Sequence, residues 1–88
     1  MEPEILSRIL ASTYKREILR ILASGEMETP TGVLRKMKER GYKSANKQNV
    51  SSNLKWLKDN GLIEVVVDRP KGKLYRITTK GRNYVGKI

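Results

Sequence analysis

Lys47, Gln48, Asn49, Ser51 and Ser52 crowd ammonium, amide and hydroxyl groups into less than two helical turns of chain. Such groups match the edges of nucleic-acid bases: Gln48 or Asn49 can pair bidentately with adenine and Lys47 with guanine, with Ser51 and Ser52 also near the base edges. A second set, Lys43, Lys55, Arg69, Lys71 and Lys73, carries point charges suited to phosphate oxygens, and Arg69 or Lys71 could also reach into a minor groove. For any one of these lysines the competing role is a solvated surface charge. Other chemistries lack their residues. With no cysteine, disulfides and thiolate-bound zinc or iron are excluded; with no histidine, the commonest general base goes too. Carboxylates such as Asp59, Glu64 and Asp68 occur, but no paired-acid spacing, phosphate-cradling loop or nucleophile–base set accompanies them. We therefore expect no enzyme, no metal site and no cofactor, and no small-molecule ligand is evident.

The element that must position the first set is residues 46–63, NKQNVSSNLKWLKDNGLI. Val50, Leu54 and Leu57 recur at i, i+4 and i+7 and make one helical face apolar, leaving Gln48, Ser51, Ser52, Lys55 and Asp59 on the other. Asn46 can cap the start, and Gly61 supplies a left-handed stop before Leu62 and Ile63 open a strand. A polar face of this kind suits a helix lying in a DNA major groove, with its N-terminal half nearest the bases. An ordinary amphipathic helix followed by a strand is the alternative. Asn49 shares a flank with Asn53 and Trp56, so a hydrogen bond inside the protein competes with base reading for it. For Trp56, packing against a neighbouring helix or a partner subunit is preferred over base stacking, since stacking platforms need several exposed rings.

Charge is distributed unevenly. Residues 1–34 hold four cations against five acids, whereas residues 35–88 hold fifteen cations against four acids, so the net +10 belongs to the second part of the chain. That favours a polyanionic partner. A membrane surface ranks below nucleic acid because the cations spread over a helix, a hairpin and a tail, with no basic amphipathic helix bearing bulky exposed apolar groups. At 88 residues a single domain with a modest core is expected. No apolar run approaches the ~20 residues needed to span a bilayer, and no signal-peptide pattern precedes the first helix, so a cytoplasmic protein is expected.

Along the chain, Pro3 suits a first helical turn, followed by an apolar stripe of Ile5, Leu6, Ile9 and Leu10. Ile5, Leu6 and Ile9 form a candidate dimer contact, packing back on the core being the alternative. Ser12 or Thr13 caps a second helix with Tyr14, Ile18, Ile21 and Leu22 on one face, ending at Gly25. Residues 26–28 form a short connection with a strand pair centred on Met27. Thr29 and Pro30 read as N-cap and N1 of a third helix reaching about Arg40, with Val33, Leu34 and Met37 inside and Arg35, Lys36, Lys38 and Arg40 outside. A link over 41–45 then joins it to the polar-faced helix at 47–60, a helix-turn-helix pattern with a somewhat long turn. Residues 62–67 and 74–78 are strands around the turn cluster DRPKGK, with Tyr75 and Ile77 facing the core. Thr79 offers a cap for a short last helix that Gly81 weakens.

In order and spacing, NVSSNLKWLKDNGLIE followed by GKLYRITTKG, together with ILASTYKREILRIL, resembles the winged-helix DNA-binding regulators of the ArsR and MarR type. The resemblance covers nearly the whole chain. It implies an α+β winged helix-turn-helix: three to four N-terminal helices, a two-stranded β-hairpin wing over 62–78 and a short C-terminal helix, all within one domain over 1–88. It also implies a homodimeric, sequence-specific regulator of double-stranded DNA, nucleoid-associated when bound. The cysteine and histidine clusters of the family's metal sensors are missing, so that sensing mode does not carry over, and the long dimer-forming terminal helices of the MarR type are not represented. An architectural DNA-binding protein, or a winged helix used for protein or RNA contacts, is the alternative from another class.

Overall fold

Helix starts in this chain are decided by single side chains that replace missing backbone partners. In the computed structural model, which describes residues 2–25 and 27–88, Ser12 accepts a hydrogen bond from the Lys15 N–H (3.1 Å), Thr29 from Gly32 (3.0 Å), Asn46 from Asn49 (2.9 Å) and Thr78 from Gly81 (3.0 Å). These caps open α2 (Thr13–Ser24), α3 (Pro30–Glu39), α4 (Lys47–Asp59) and α5 (Thr79–Val85). The first helix, α1 (Pro3–Leu10), starts on a proline at N1 instead. The last cap differs from expectation by one residue: Thr78, not Thr79, turns its hydroxyl inward, and the same hydroxyl donates to the Gly61 carbonyl (2.7 Å).

Helix ends follow the same logic. After α3 the Tyr42 N–H bonds to the Met37 carbonyl and the Gly41 N–H to that of Lys38, with Gly41 at φ +96°; after α4 Leu62 and Gly61 repeat the pattern on Leu57 and Lys58, with Gly61 at φ +76°. Both are Schellman stops that depend on a residue tolerating left-handed backbone.

The central element is α2, against which α1, α3, α4, α5 and the hairpin all pack. Its Ile18, Leu19, Ile21 and Leu22 lie in one core with Val33, Met37, Val50, Leu54, Leu57, Leu62, Ile63, Tyr75, Ile77 and Tyr84. Ile5 and Ile9 belong to the same core, 6% and 0% exposed, and Leu6 is half-buried against it. The expected dimer contact at Ile5, Leu6 and Ile9 is therefore corrected. A two-residue link, Ala11 and Ser12, folds α1 straight back onto α2, so its stripe is consumed inside the monomer. Only Leu10 remains exposed among those four, at 48%.

The wing comprises β1 (Ile63–Arg69) and β2 (Gly72–Ile77), paired antiparallel from Ile63–Ile77 out to Arg69–Gly72. The expected six-residue turn shrinks to Pro70 and Lys71, because Asp68–Lys73 and Arg69–Gly72 still pair. Val66 is an extra residue between the Val65–Tyr75 and Val67–Leu74 pairs, a bulge that twists the hairpin. At the hairpin's base Glu28 and Tyr75 exchange two backbone hydrogen bonds (3.0 and 2.8 Å), a minimal third strand. The strand pair expected around Met27 thus falls at Glu28; Glu26 lies outside the described residues, and Met27 itself is exposed. No helix among the described residues is long and apolar enough to cross a membrane.

Candidate nucleic-acid interface

Burial divides α4 cleanly. Val50, Leu54 and Leu57 are at most 1% exposed, while Lys47, Gln48, Ser51, Ser52, Lys55 and Asp59 face solvent. The exposed positions recur every three or four residues, so hydrogen-bonding groups occupy one edge of the helix from its first turn. Asn49 is half-buried on the flank, and its carbonyl accepts from Asn53 Nδ2 (2.8 Å) and Ser52 Oγ (3.2 Å).

The phosphate candidates occupy different ground. Lys43 lies in the turn before α4, and Arg69 and Lys71 at the hairpin tip are exposed, with Lys73 half-buried. Among the described residues none of Lys43, Lys47, Arg69, Lys71 and Lys73 forms an ion pair, whereas Arg20, Lys36, Arg40, Arg76 and Lys80 each have a carboxylate. The turn, the start of α4 and the wing tip thus each carry unneutralised charge, as do Arg8, Arg35, Lys38, Lys58 and Arg82 elsewhere on the surface. Lys55 is the exception, paired with Asp59 one turn along (2.8 Å). Their hydrogen bond and mutual charge raise the Lys55 pKa and lower that of Asp59. The pair is open to solvent and screened, so Lys55 can exchange that carboxylate for another anion at little cost.

Lys43 and Lys55 lie beside the polar edge of α4, but the wing cations Arg69, Lys71 and Lys73 are on a separate element. Thirteen residues of helix separate the start of α4 from the root of the wing, about 20 Å at 1.5 Å per residue. Gly61 and Leu62 are the joint between the helix and the hairpin.

What holds α4 in place was not apparent in the sequence. Glu17 of α2, 7% exposed, is the one buried charged residue among those described. Its carboxylate pairs with Arg40 at the C-cap of α3, accepts from the Tyr42 hydroxyl in the turn (3.4 Å) and lies 3.8 Å from Arg20. Tyr42 also meets Tyr14 of α2 edge to face, centroids 6.0 Å apart. The α3 end of the turn, from Arg40 to Tyr42, is thereby tied to α2. The sequence signal was a charged residue beside the apolar stripe of α2, which periodicity alone assigns to the surface.

Farther along, Lys15 of α2 donates to Asn53 Oδ1 (3.0 Å) and sits 5.1 Å from the centre of the Trp56 ring. Burial and the nearby Arg8 charge both lower the Lys15 pKa. Trp56 is half-buried against the core beneath this lysine, consistent with the packing role expected for it.

No group of His, Cys, Asp and Glu side chains able to hold a metal ion occurs among the described residues. A cleft lined by Glu2, Lys80, Asn83, Tyr84 and Lys87 takes no residue from α4 or the wing.

No protein-family profile matches the sequence, and neither does any curated protein. Solved structures do match in fold. RosR of H. salinarum superposes with a TM-score of 0.76 at 23% identity, over 86% of this chain and 68% of that one. The reduced form of MarR from E. coli gives 0.73 at 21% identity, over 96% of this chain and 59% of the other. A MarR variant from E. coli complexed with operator DNA also gives 0.73, at 19% identity and with 57% of its length covered. The chain thus has the winged-helix fold expected from its sequence, and spans between just over half and about two thirds of the proteins it superposes on.

Proposed function

We propose that this protein is a sequence-specific regulator of transcription that binds double-stranded DNA, with α4 in the major groove and the wing on the backbone and minor groove. The observation that carries the reading is the solvent edge Lys47, Gln48, Ser51 and Ser52, flanked at the turn and the wing by cations that no carboxylate neutralises among the described residues. Amide and hydroxyl groups on that edge offer both donors and acceptors, which base discrimination needs and charge neutralisation does not. In this reading Lys47, Gln48, Asn49, Ser51 and Ser52 read bases, and Lys43, Lys55, Arg69, Lys71 and Lys73 hold phosphates. The MarR structure on operator DNA supports it by fold alone. The protein acts as a homodimer on two half-sites in the cytoplasm, on the nucleoid when bound, and performs no catalysis.

The test is selection of bound duplexes from a random pool, followed by competition at physiological salt and a mass measurement of the complex. A recovered motif bound roughly a thousandfold or more tighter than random duplex is expected, with two chains per site. Equal affinity for random and selected duplexes would replace this reading with an architectural one, which the fifteen cations in residues 35–88 also favour.

A further inference from the structure

Lys15 stands at the seam between α2 and α4. Lys15 is half-buried against α4, where partial burial and the Arg8 charge both disfavour its ammonium, and an apolar side chain of similar length would cover Trp56 without that penalty. What the ammonium does contact is a chain of hydrogen bonds leading into the candidate reading edge. Lys15 Nζ donates to Asn53 Oδ1 (3.0 Å), Asn53 Nδ2 donates to the Asn49 carbonyl (2.8 Å), and Ser52 Oγ donates to that same carbonyl (3.2 Å). Lys15, Asn53 and Ser52 thus meet through the Asn49 carbonyl, which accepts from both Asn53 and Ser52. A cation on Oδ1 sets which way the Asn53 amide faces, so its NH₂ must point along the helix toward Asn49. With its own proton committed to the Asn49 carbonyl, Ser52 presents lone pairs outward.

We propose that Lys15 is a positioning residue for base recognition: acting through Asn53, it locks the rotation of α4 about its axis and the orientation of Ser52, although it touches no base itself. The inference rests on the DNA-binding reading above and deepens it. A lysine near a DNA-facing helix could instead be one more phosphate contact, and the two roles have different signatures. A phosphate contact contributes about one unit to the slope of log affinity against log salt and nothing to base preference; a positioning residue does the reverse.

The experiment compares the wild-type protein with Lys15→Met, which keeps the apolar stem over Trp56 and removes the charge, and Lys15→Arg, which keeps the charge. Duplex selection, the salt slope on one fixed duplex, and amide hydrogen exchange of residues 47–56 without DNA are measured for each. For Lys15→Met, discrimination against single base changes in the selected motif is expected to fall about three- to tenfold, with the salt slope unchanged and exchange several-fold faster. Lys15→Arg is expected to retain the discrimination. In Lys15→Met, adding Asn53→Ala should cost little further discrimination, since one chain is already broken. A salt slope lower by about one with discrimination intact makes Lys15 a phosphate contact and overturns the proposal, as does exchange that Lys15→Met leaves unaltered. If the wild type shows no base preference, the DNA reading fails and takes the recognition role with it. Exchange in the free protein still reports separately whether Lys15 holds α4.

Discussion

Replacing Gly81 by alanine sets two physical effects against each other. Within a helix alanine is favoured over glycine by ~1 kcal/mol, so on propensity alone Gly81→Ala stabilises α5. The structure reverses the sign. A methyl built on Gly81 would stand 2.1 Å from the Leu62 carbonyl oxygen and 2.7 Å from Ile77 Cγ1. The oxygen is backbone and cannot rotate away, and it accepts the Thr78 N–H at 3.0 Å. Opening an ordinary contact requires a shift of more than 1 Å, since real Cβ atoms essentially never approach within 3.0 Å. That shift strains a packed core by about 1–3 kcal/mol and forfeits a hydrogen bond worth about 1 kcal/mol. Set against the propensity gain, a net loss of about 1–3 kcal/mol remains. In a domain of this size that lowers Tm by about 4–24 °C. Thermal unfolding followed by far-UV circular dichroism measures it, with Gly86→Ala as the control. There the nearest atom is 3.6 Å away, φ is −64°, and a small gain of about 0.4–1 kcal/mol is expected. A Gly81→Ala protein melting at or above the wild-type temperature would refute the claimed close approach of α5 to the wing's root.

Three other outcomes follow from the same geometry. Gln48→Ala should alter the motif recovered by duplex selection while the salt slope stays put; recovery of the wild-type motif would remove Gln48 from the reading edge. Lys71→Ala at the wing tip should weaken binding to all duplexes alike and flatten the salt slope by about one unit, and an unaltered slope would show a solvated lysine. Glu28 titrates in the acid range. Burial pushes its pKa up, but hydrogen bonds from Lys36 and the Thr29 N–H, with the Lys36 and Arg35 charges, bring it below the ordinary 4.5. A carboxyl whose folded pKa is depressed contributes stability above its unfolded pKa and loses it as pH falls through the folded value. Denaturant melts from about pH 5 down to 3 should therefore show a shallower loss of stability for Glu28→Gln than for the wild type.

The sequence yields most where structure is decided locally. Asn46, the Thr29–Pro30 pair and Gly61 do what their types suggest, because a cap or a left-handed stop depends only on a few adjacent residues. The polar edge of α4 and the cationic hairpin tip were legible for a similar reason, since both are visible in spacing and composition. Features set by distant partners were not. Periodicity identifies the apolar stripe of α1 but cannot say whether a second molecule or α2 covers it; the two-residue link settles that. Adjacent threonines at 78 and 79 are equivalent caps until Gly61 supplies a partner for one of them. Gly81 reads as a helix weakener until Leu62 arrives beside it, and Glu17 and Lys15 read as surface charges until α3, the turn and α4 surround them.

The buried Glu17 carboxylate also bears on whether the helix-turn-helix is a portable part. Segments of this kind invite transplantation into other scaffolds, as though residues 30–60 carried their own instructions. Here they do not: the acid that satisfies Arg40 and Tyr42 lies on α2, outside the segment. A graft of that stretch would bring the cation and the phenol without their common acceptor, and the angle between its two helices would pass to whatever the host provides. The smallest unit able to inherit this geometry includes α2 as well.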